Sequence, residues 1–301
     1  MTALAQLNLE NLQQNVSLAK YTAARLGGAA DWFYVARNSI QELAEVVQTA
    51  WSEGLPVRIL GGGANVLVSD KGFRGLVVVN RVTDIEFGDW HDGRTVSASS
   101  GTGLLRLARE CANHGIAGME WAVGVPGTVG GAVVNNAGAH GDDMSNSVAD
   151  VVVLEQSGAT MLSHSEMCYN YRESVLKTRQ DRHFVVLQVN FILPYDTPDA
   201  IQSRMEKFNS YRKSTQPSGA TLGSIFKNPD GDYAGRLIQA SDLKGYRVGG
   251  VEVSSKHANF IVNHGDARAS DYYALIRTVQ EKVLAQQGVE LELEIELVGE
   301  W

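Results

Sequence analysis

Proline is scarce in this chain, with 6 residues in 301 against roughly 5% in an average protein. Cysteine is scarcer still, at 2. Cys111 and Cys168 form neither a C-x-x-C motif nor a zinc-ligand spacing, so no metal site is expected. Long apolar runs are missing too: none approaches the roughly 18 residues that a membrane span needs. Met1-Thr2-Ala3-Leu4-Ala5 has no basic n-region and no long apolar h-region, so no signal peptide is read and a cytoplasmic location is expected. Positive charge is in deficit, with 26 basic against 34 acidic residues and a net charge of -8. Such a chain lacks the electrostatic footprint of a nucleic-acid binder. With 44% hydrophobic and 20% charged residues, it is not disordered or fibrous. Glycine, at 31 residues, is in excess, which suits turns and close approach of backbone to a ligand.

The length suggests about two domains, and the pattern of elements divides more naturally into three units. A short polar helix is expected ahead of Asn15, then an aromatic-rich strand at Asp31–Ala36. Ser39-Ile40-Gln41-Glu42 reads as a capping box. Leu43, Val46, Val47, Ala50 and Trp51 follow at helical spacing, with Gly54 placed to close the helix. Pro56–Leu60, Val66–Val68 and Leu76–Val79 read as strands. The second unit begins with Thr95–Ala98 and a helix bearing Leu104, Leu107, Ala108 and Cys111 on one face, which makes Cys111 a buried thiol. Gly124–Ala132 reads as a loop, Val151–Leu154 and Phe184–Leu193 as strands, and Pro194-Tyr195-Asp196-Thr197-Pro198 as a linker. In the third unit, Ile201, Met205 and Phe208 form one helical stripe. Leu275, Ile276, Val279, Val283 and Leu284 form another, ending at Gly288. Strands are expected at Val248–Val253, Asn259–Val262 and Leu291–Val298. The class is α+β, with no internal repeat.

Two glycine-rich runs carry a chemical signal. Gly61-Gly62-Gly63-Ala64-Asn65 follows a strand, and consecutive residues without Cβ let N–H groups converge on an anion. The second, Gly124 to Ala132, has glycines at 124, 127, 130 and 131. Neither fits the dinucleotide fingerprint: the spacing is wrong, and Pro126 removes a donor. No Gly-Lys-Ser/Thr follows either run, so the P-loop is absent. Read on residues alone, the pair is either a set of tight turns or the cradle of a phosphate-containing ligand.

In order along the chain stand Tyr21-Thr22 with Arg25 and Gly27-Gly28, Gly61–Asn65, Gly124–Ala132, Asn136-Ala137-Gly138-Ala139, Tyr171-Arg172-Glu173-Ser174, and Gly223-Ser224-Ile225-Phe226-Lys227-Asn228-Pro229. Ala234-Gly235-Arg236-Leu237-Ile238, Leu243-Lys244-Gly245, Lys256-His257-Ala258-Asn259-Phe260 and Leu291-Glu292-Leu293-Glu294 follow. This succession resembles the UDP-N-acetylenolpyruvoylglucosamine reductases, flavoenzymes of bacterial cell-wall synthesis, from about residue 15 to 298. The resemblance implies two α+β subdomains that hold FAD and a third α+β domain that binds substrate, at about 1–80, 81–195 and 196–301. It implies FAD bound non-covalently, NADPH as reductant and a UDP-linked enolpyruvyl amino sugar as substrate. The acidic charge and the lack of an obvious heptad favour a monomer, and neither a nucleic acid nor a membrane is expected as partner.

By the same resemblance the cofactor residues are Tyr21, Arg25, Gly61, Gly62, Gly63, Ala64, Asn65, Val66, Gly124, Pro126, Gly127, Thr128, Gly130, Gly131, Ala132, Asn136, Ala137 and Gly138. Arg172 matches the arginine that forks onto a carboxylate, and Ser224 matches the proton donor. Glu294 matches the C-terminal acid. Glu290, Glu292, Glu294 and Glu296 alternate on one face of the expected strand, so Glu292 stands as second choice. Tyr171, Lys227, Asn228 and His257 match substrate-binding positions, and Lys256 and Asn259 are candidates for a phosphate or ribose. Ala64 stands where many relatives carry serine. Only Pro229-Asp230-Gly231-Asp232-Tyr233 separates Asn228 from Ala234, so the chain resembles the shorter branch, without the insertion that covers substrate in the other. Another FAD oxidoreductase of the same fold, or a catalytically silent flavin-binding protein, are the competing readings. The first would place other groups over the flavin, and the second has no use for Arg172, Ser224 and Glu294.

Overall fold

The computed structural model describes residues 12–90 and 93–301. By contacts the described residues divide into two units, one of residues 12–13, 32–62, 75–90 and 93–211, the other of residues 14–31, 63–74 and 212–301.

In the first unit two apolar cores form. The helix Ile40–Ser52 buries Leu43, Val46, Val47, Ala50 and Trp51, the stripe its spacing predicts. They pack with Tyr34, Leu76, Val78, Leu154 and Leu187. Ser39 accepts the Glu42 N–H at 3.1 Å, so half of the capping box forms. The Glu42 carboxylate reaches the Asn38 backbone and side chain and the Tyr34 hydroxyl rather than the Ser39 N–H. Val57–Leu60 runs parallel to Phe73–Asn80, Val57 opposite Leu76 and Leu60 opposite Val79. A strand buried on both faces reads as an unbroken apolar run, and Leu76–Val79 are all buried.

The second core lies under a five-stranded antiparallel sheet in the order Gly158–Ser163, Val148–Glu155, Phe184–Pro194, Gly93–Ser99, Ile85–Trp90. Val151, Val153, Val189 and Phe191 are buried with Leu104, Leu107 and Cys111 of the helix Leu104–Asn113, and with Trp121. Burial pushes the Cys111 thiol up to about 12, the inert packed thiol expected from the sequence.

In the second unit four strands pair in the order Ala220–Ser224, Phe260–Asn263, Val251–Val253, Arg247–Val248. The helix Ala269–Gln287 lays Tyr272, Leu275, Ile276, Val279 and Val283 into a core with Leu237, Ile238 and Ile261. Gly288 ends it in the left-handed conformation. Glu296–Val298 pairs in parallel with Val66–Val68.

Several expectations are corrected. The helix ahead of Asn15 falls mostly outside the described residues, and Gln13–Ser17 is a strand. The run Gly124–Ala132 is a loop only to Thr128, because Val129–Asn135 is a helix. Glycines depress helix propensity, yet here a Cβ on Gly130 would sit 2.8 Å from the Ser100 Cβ, so close packing selects glycine. The five residues from Pro194 to Pro198 are not a free linker. Ala117 donates to the Pro194 carbonyl, Asp196 to Gly115, and Pro198 opens the helix Pro198–Thr215. Leu291–Val298 is strand only at Glu296–Val298. Ile85–Trp90, interrupted by Gly88 and Asp89, was not anticipated. Leu284 is half exposed rather than part of the buried stripe. Among the described residues no helix is long and apolar enough to cross a membrane.

Candidate active site

In the first unit, the strand ending at Leu60 delivers Gly61 and Gly62 against Gly127-Thr128. A Cβ on Gly61 would lie 2.1 Å from Thr128 Oγ1, and one on Gly62 would lie 2.9 Å from the Gly127 Cα. Gly61 meets the Thr128 side chain and Gly62 meets main chain, so neither position has room for a Cβ. The second run is held by its own bonds: Leu104 donates to the Gly127 carbonyl, Val129 to Thr102 and Gly130 to Ser100. Gly124, Pro126 and Gly131 are exposed. Beside Gly131 the nearest atom to an added Cβ is 3.8 Å away, and Gly127, at φ +129°, has none within 4 Å. These open glycines at the start of a helix leave room for a bulky anion. The Gly62 N–H has no hydrogen-bond partner among the described residues. The residues present therefore fit a diphosphate-bearing cofactor on this side.

The helix Val129–Asn135 ends on Asn136, whose φ of 41° is left-handed. Its buried amide donates to the Asn170 carbonyl at 3.0 Å and accepts from the Ser145 N–H at 3.1 Å. Asn136 is thus a hub of the fold, and its side chain is spent on the protein. Asn170 and Glu173 exchange backbone bonds around a tight turn that presents Tyr171 and Arg172. Arg172, at φ 58°, donates to the Gly138 carbonyl at 2.8 Å and the Asn136 carbonyl at 3.3 Å. Its guanidinium lies 5.4 Å from the Tyr171 ring centre. Tyr171 is 52% exposed, so its ring is not core packing. Ser174 is buried, donates to the Val134 carbonyl at 2.6 Å and caps Val175–Thr178.

In the second unit, Gly63, at φ +59°, would press an added Cβ to 2.1 Å from the Tyr21 carbonyl oxygen. Its carbonyl accepts from Ala23 at 2.9 Å. The Thr22 hydroxyl closes a turn through Leu26, donating at 2.7 Å and accepting at 3.1 Å, and exposes Arg25 at φ 57°. Tyr21, Arg25, Gly63 and Ala64 are thus brought together.

Ser224 ends the strand Ala220–Ser224, opposite Phe260. The segment that follows is stitched to the C-terminal segment. Glu294 donates its N–H to the Ile225 carbonyl, Lys227 donates to the Glu292 carbonyl, and Phe226 bridges Leu293. This brings Ser224, Lys227, Glu292 and Glu294 into one neighbourhood. The Lys227 ammonium, on a buried side chain, meets the Glu292 carboxylate at 2.7 Å. Glu292 itself is 70% exposed, whereas Glu294 is half-buried. Asn228 accepts from the Ala234 N–H at 3.1 Å, capping the helix Ala234–Ala240. Asn259, a candidate for a phosphate or ribose from its sequence context, is buried and clamps Phe226 by both ends of its amide, at 3.0 and 2.8 Å. That role is corrected to a structural one. Lys256 donates to the Lys213 carbonyl. His257 is half-buried, edge-on to Phe260 at 4.7 Å. Its pKa is lowered first by burial and then by the charge of Lys244, so the neutral imidazole is favoured.

Comparison with known proteins agrees with both halves. A model of the FAD binding domain matches residues 33–161. A model of the UDP-N-acetylenolpyruvoylglucosamine reductase C-terminal domain matches residues 215–298. The reductase of Synechococcus sp. is 43% identical, covering 96% of this chain and 94% of its own. That of Halalkalibacterium halodurans is 38% identical over 99% of this chain and 98% of its own. The crystal structure of the Thermus caldophilus reductase superposes with a TM-score of 0.80 at 33% identity, covering 96% of this chain and all of the other. With end-to-end similarity in sequence and in backbone, the chain belongs to the UDP-N-acetylenolpyruvoylglucosamine reductase family.

Proposed function

We propose that the chain is an FAD- and NADPH-dependent reductase of the enolpyruvyl ether of UDP-N-acetylglucosamine, giving UDP-N-acetylmuramate for peptidoglycan. The observation that supports this best is the lacing of the Ser224–Asn228 segment to Glu292–Glu294, which gathers the acid groups the family's chemistry needs on a short stretch of backbone.

Bound FAD supplies the hydride, which it takes from NADPH. Gly61, Gly62, Gly127 and Gly131 would hold its diphosphate, and Tyr21, Arg25, Gly63–Val66, Gly124, Pro126, Thr128, Gly130, Ala132 and Asn136–Gly138 are the further cofactor residues that the family's pattern proposes. Arg172 would fork onto the substrate carboxylate and oppose the negative charge that builds there as hydride adds to the terminal carbon. Ser224 would give its proton to the neighbouring carbon, and Glu294 would polarise the substrate's enolate or relay a proton with Ser224. With Glu292 held by Lys227, Glu294 is the better choice of acid. Tyr171, Asn228 and His257 would line the substrate. The same reading keeps FAD-binding subdomains at 1–80 and 81–195 and a substrate domain at 196–301 on the family's pattern, whereas by contacts residues 14–31 and 63–74 group with 212–301. The same reading has the chain act as a cytoplasmic monomer, as its acidic charge and lack of a heptad suggest.

The test is an anaerobic visible spectrum. NADPH should bleach the flavin band, and the UDP-linked enolpyruvyl substrate should restore it. Bleaching without return would move the proposal to another oxidoreductase.

A further inference from the structure

Arg81 was not singled out in the sequence: it follows an apolar strand and belongs to no motif. Its place in the first unit gives it a role. The Arg81 Nη1 donates to the Gly61 carbonyl at 2.8 Å and, more weakly, to the Asn80 carbonyl at 3.4 Å. Its own N–H is fixed on the Ala36 carbonyl at 2.8 Å. In a planar trans peptide the N–H points opposite to the carbonyl oxygen. Holding the Gly61 oxygen therefore aims the Gly62 N–H away from Arg81, and that N–H has no partner among the described residues. The preceding residue holds the second glycine run. The buried Asn80 donates to Ser100 Oγ at 2.8 Å, and the Ser100 carbonyl accepts the Gly130 N–H at 2.9 Å. One turn, Asn80-Arg81, thus anchors both glycine loops.

The charge of Arg81 is also uncompensated. Among the described residues no carboxylate pairs with it. Burial lowers its pKa and the neighbouring Arg37 lowers it further. A half-buried cation that meets only main-chain carbonyls and another cation is stabilised by an anion brought alongside.

We propose that Arg81 is a positioning residue for the diphosphate of the bound dinucleotide. It fixes the Gly61–Gly62 peptide so that the N–H faces the anion, and it adds positive charge behind the loop. This rests on the reading of the glycine loops as an FAD cradle.

The test titrates the full chain, stripped of flavin, with FAD and follows quenching of flavin fluorescence. Arg81→Ala should raise the FAD dissociation constant about tenfold or more, the size of a charge-assisted hydrogen bond. It should also flatten the dependence of binding on salt, with apoprotein melting unchanged. Arg81→Lys, which keeps the charge and one donor, should recover most of the affinity, and Arg81→Gln less. The visible spectrum of the saturated variants should match the parent's. A dissociation constant within twofold of the parent's in Arg81→Ala would overturn the proposal, as would an Arg81→Lys variant no better than Ala with an unaltered salt slope. A parent chain that binds no FAD would instead overturn the cradle itself.

Discussion

The glycine loops of the first unit and the Ser224–Asn228 segment of the second work by opposite means. At Gly61 and Gly62 the useful groups are main-chain, and side chains are excluded by the 2.1 and 2.9 Å approaches of Thr128 and Gly127. At Ile225 and Lys227 the main chain is consumed by pairing with Glu294 and Glu292, and the proposed chemistry falls to the side chains of Ser224 and Glu294. A site made of backbone is broken by adding atoms; one made of side chains is broken by removing them.

A large effect separates two neighbouring acids. Glu294→Gln should lower turnover about 10²-fold, within the range for lost acid–base assistance. Glu292→Gln, which removes a carboxylate already held by the buried Lys227, should lower turnover far less than Glu294→Gln. Steady-state rates check both, and the reverse ranking would move the acid to Glu292. Next comes addition. Gly61→Ala should cost about 1–3 kcal/mol of stability, as overpacking does, read by denaturant unfolding, and should weaken FAD with it. Gly131→Ala sharpens the point. It lies in a helix beside open space, so it should gain about 0.5–1 kcal/mol and still lose FAD affinity, because its methyl would occupy the space proposed for the anion.

The smallest effect is a pH dependence. His257 has a folded pKa below its ordinary value of 6.5, so the unfolded chain binds the extra proton more readily. Its contribution to stability is present in full above that value and is lost as pH falls through it. Melting curves at pH 7.5 and 5.5 should show a smaller acid loss for His257→Gln than for the parent. Equal losses would remove His257 from the account.

Helices were legible where one apolar stripe faces one core, as in Ile40–Ser52 and Ala269–Gln287. They were illegible where close packing replaced propensity, as in Val129–Asn135 with its paired glycines. The family motifs select Arg172, Ser224 and Glu294 as candidates, and alternation along Glu290–Glu296 does not choose between glutamates of one parity. The family motif makes that choice, and the ion pair of Lys227 with Glu292, between residues 65 positions apart, supports it. Asn259 reads as a ligand group in sequence because its motif is polar, whereas its amide closes two main-chain bonds on Phe226. Arg81 left no signal, since what it holds is a carbonyl, and carbonyls carry no sequence.

The separation of cradle from chemistry is tested most directly by Ser224→Ala in single turnover. The account predicts parent-like FAD affinity and parent-like flavin reduction by NADPH. Reoxidation by the enolpyruvyl substrate should then be slowed by about 10²–10⁴-fold. Reoxidation at the parent rate would contradict it.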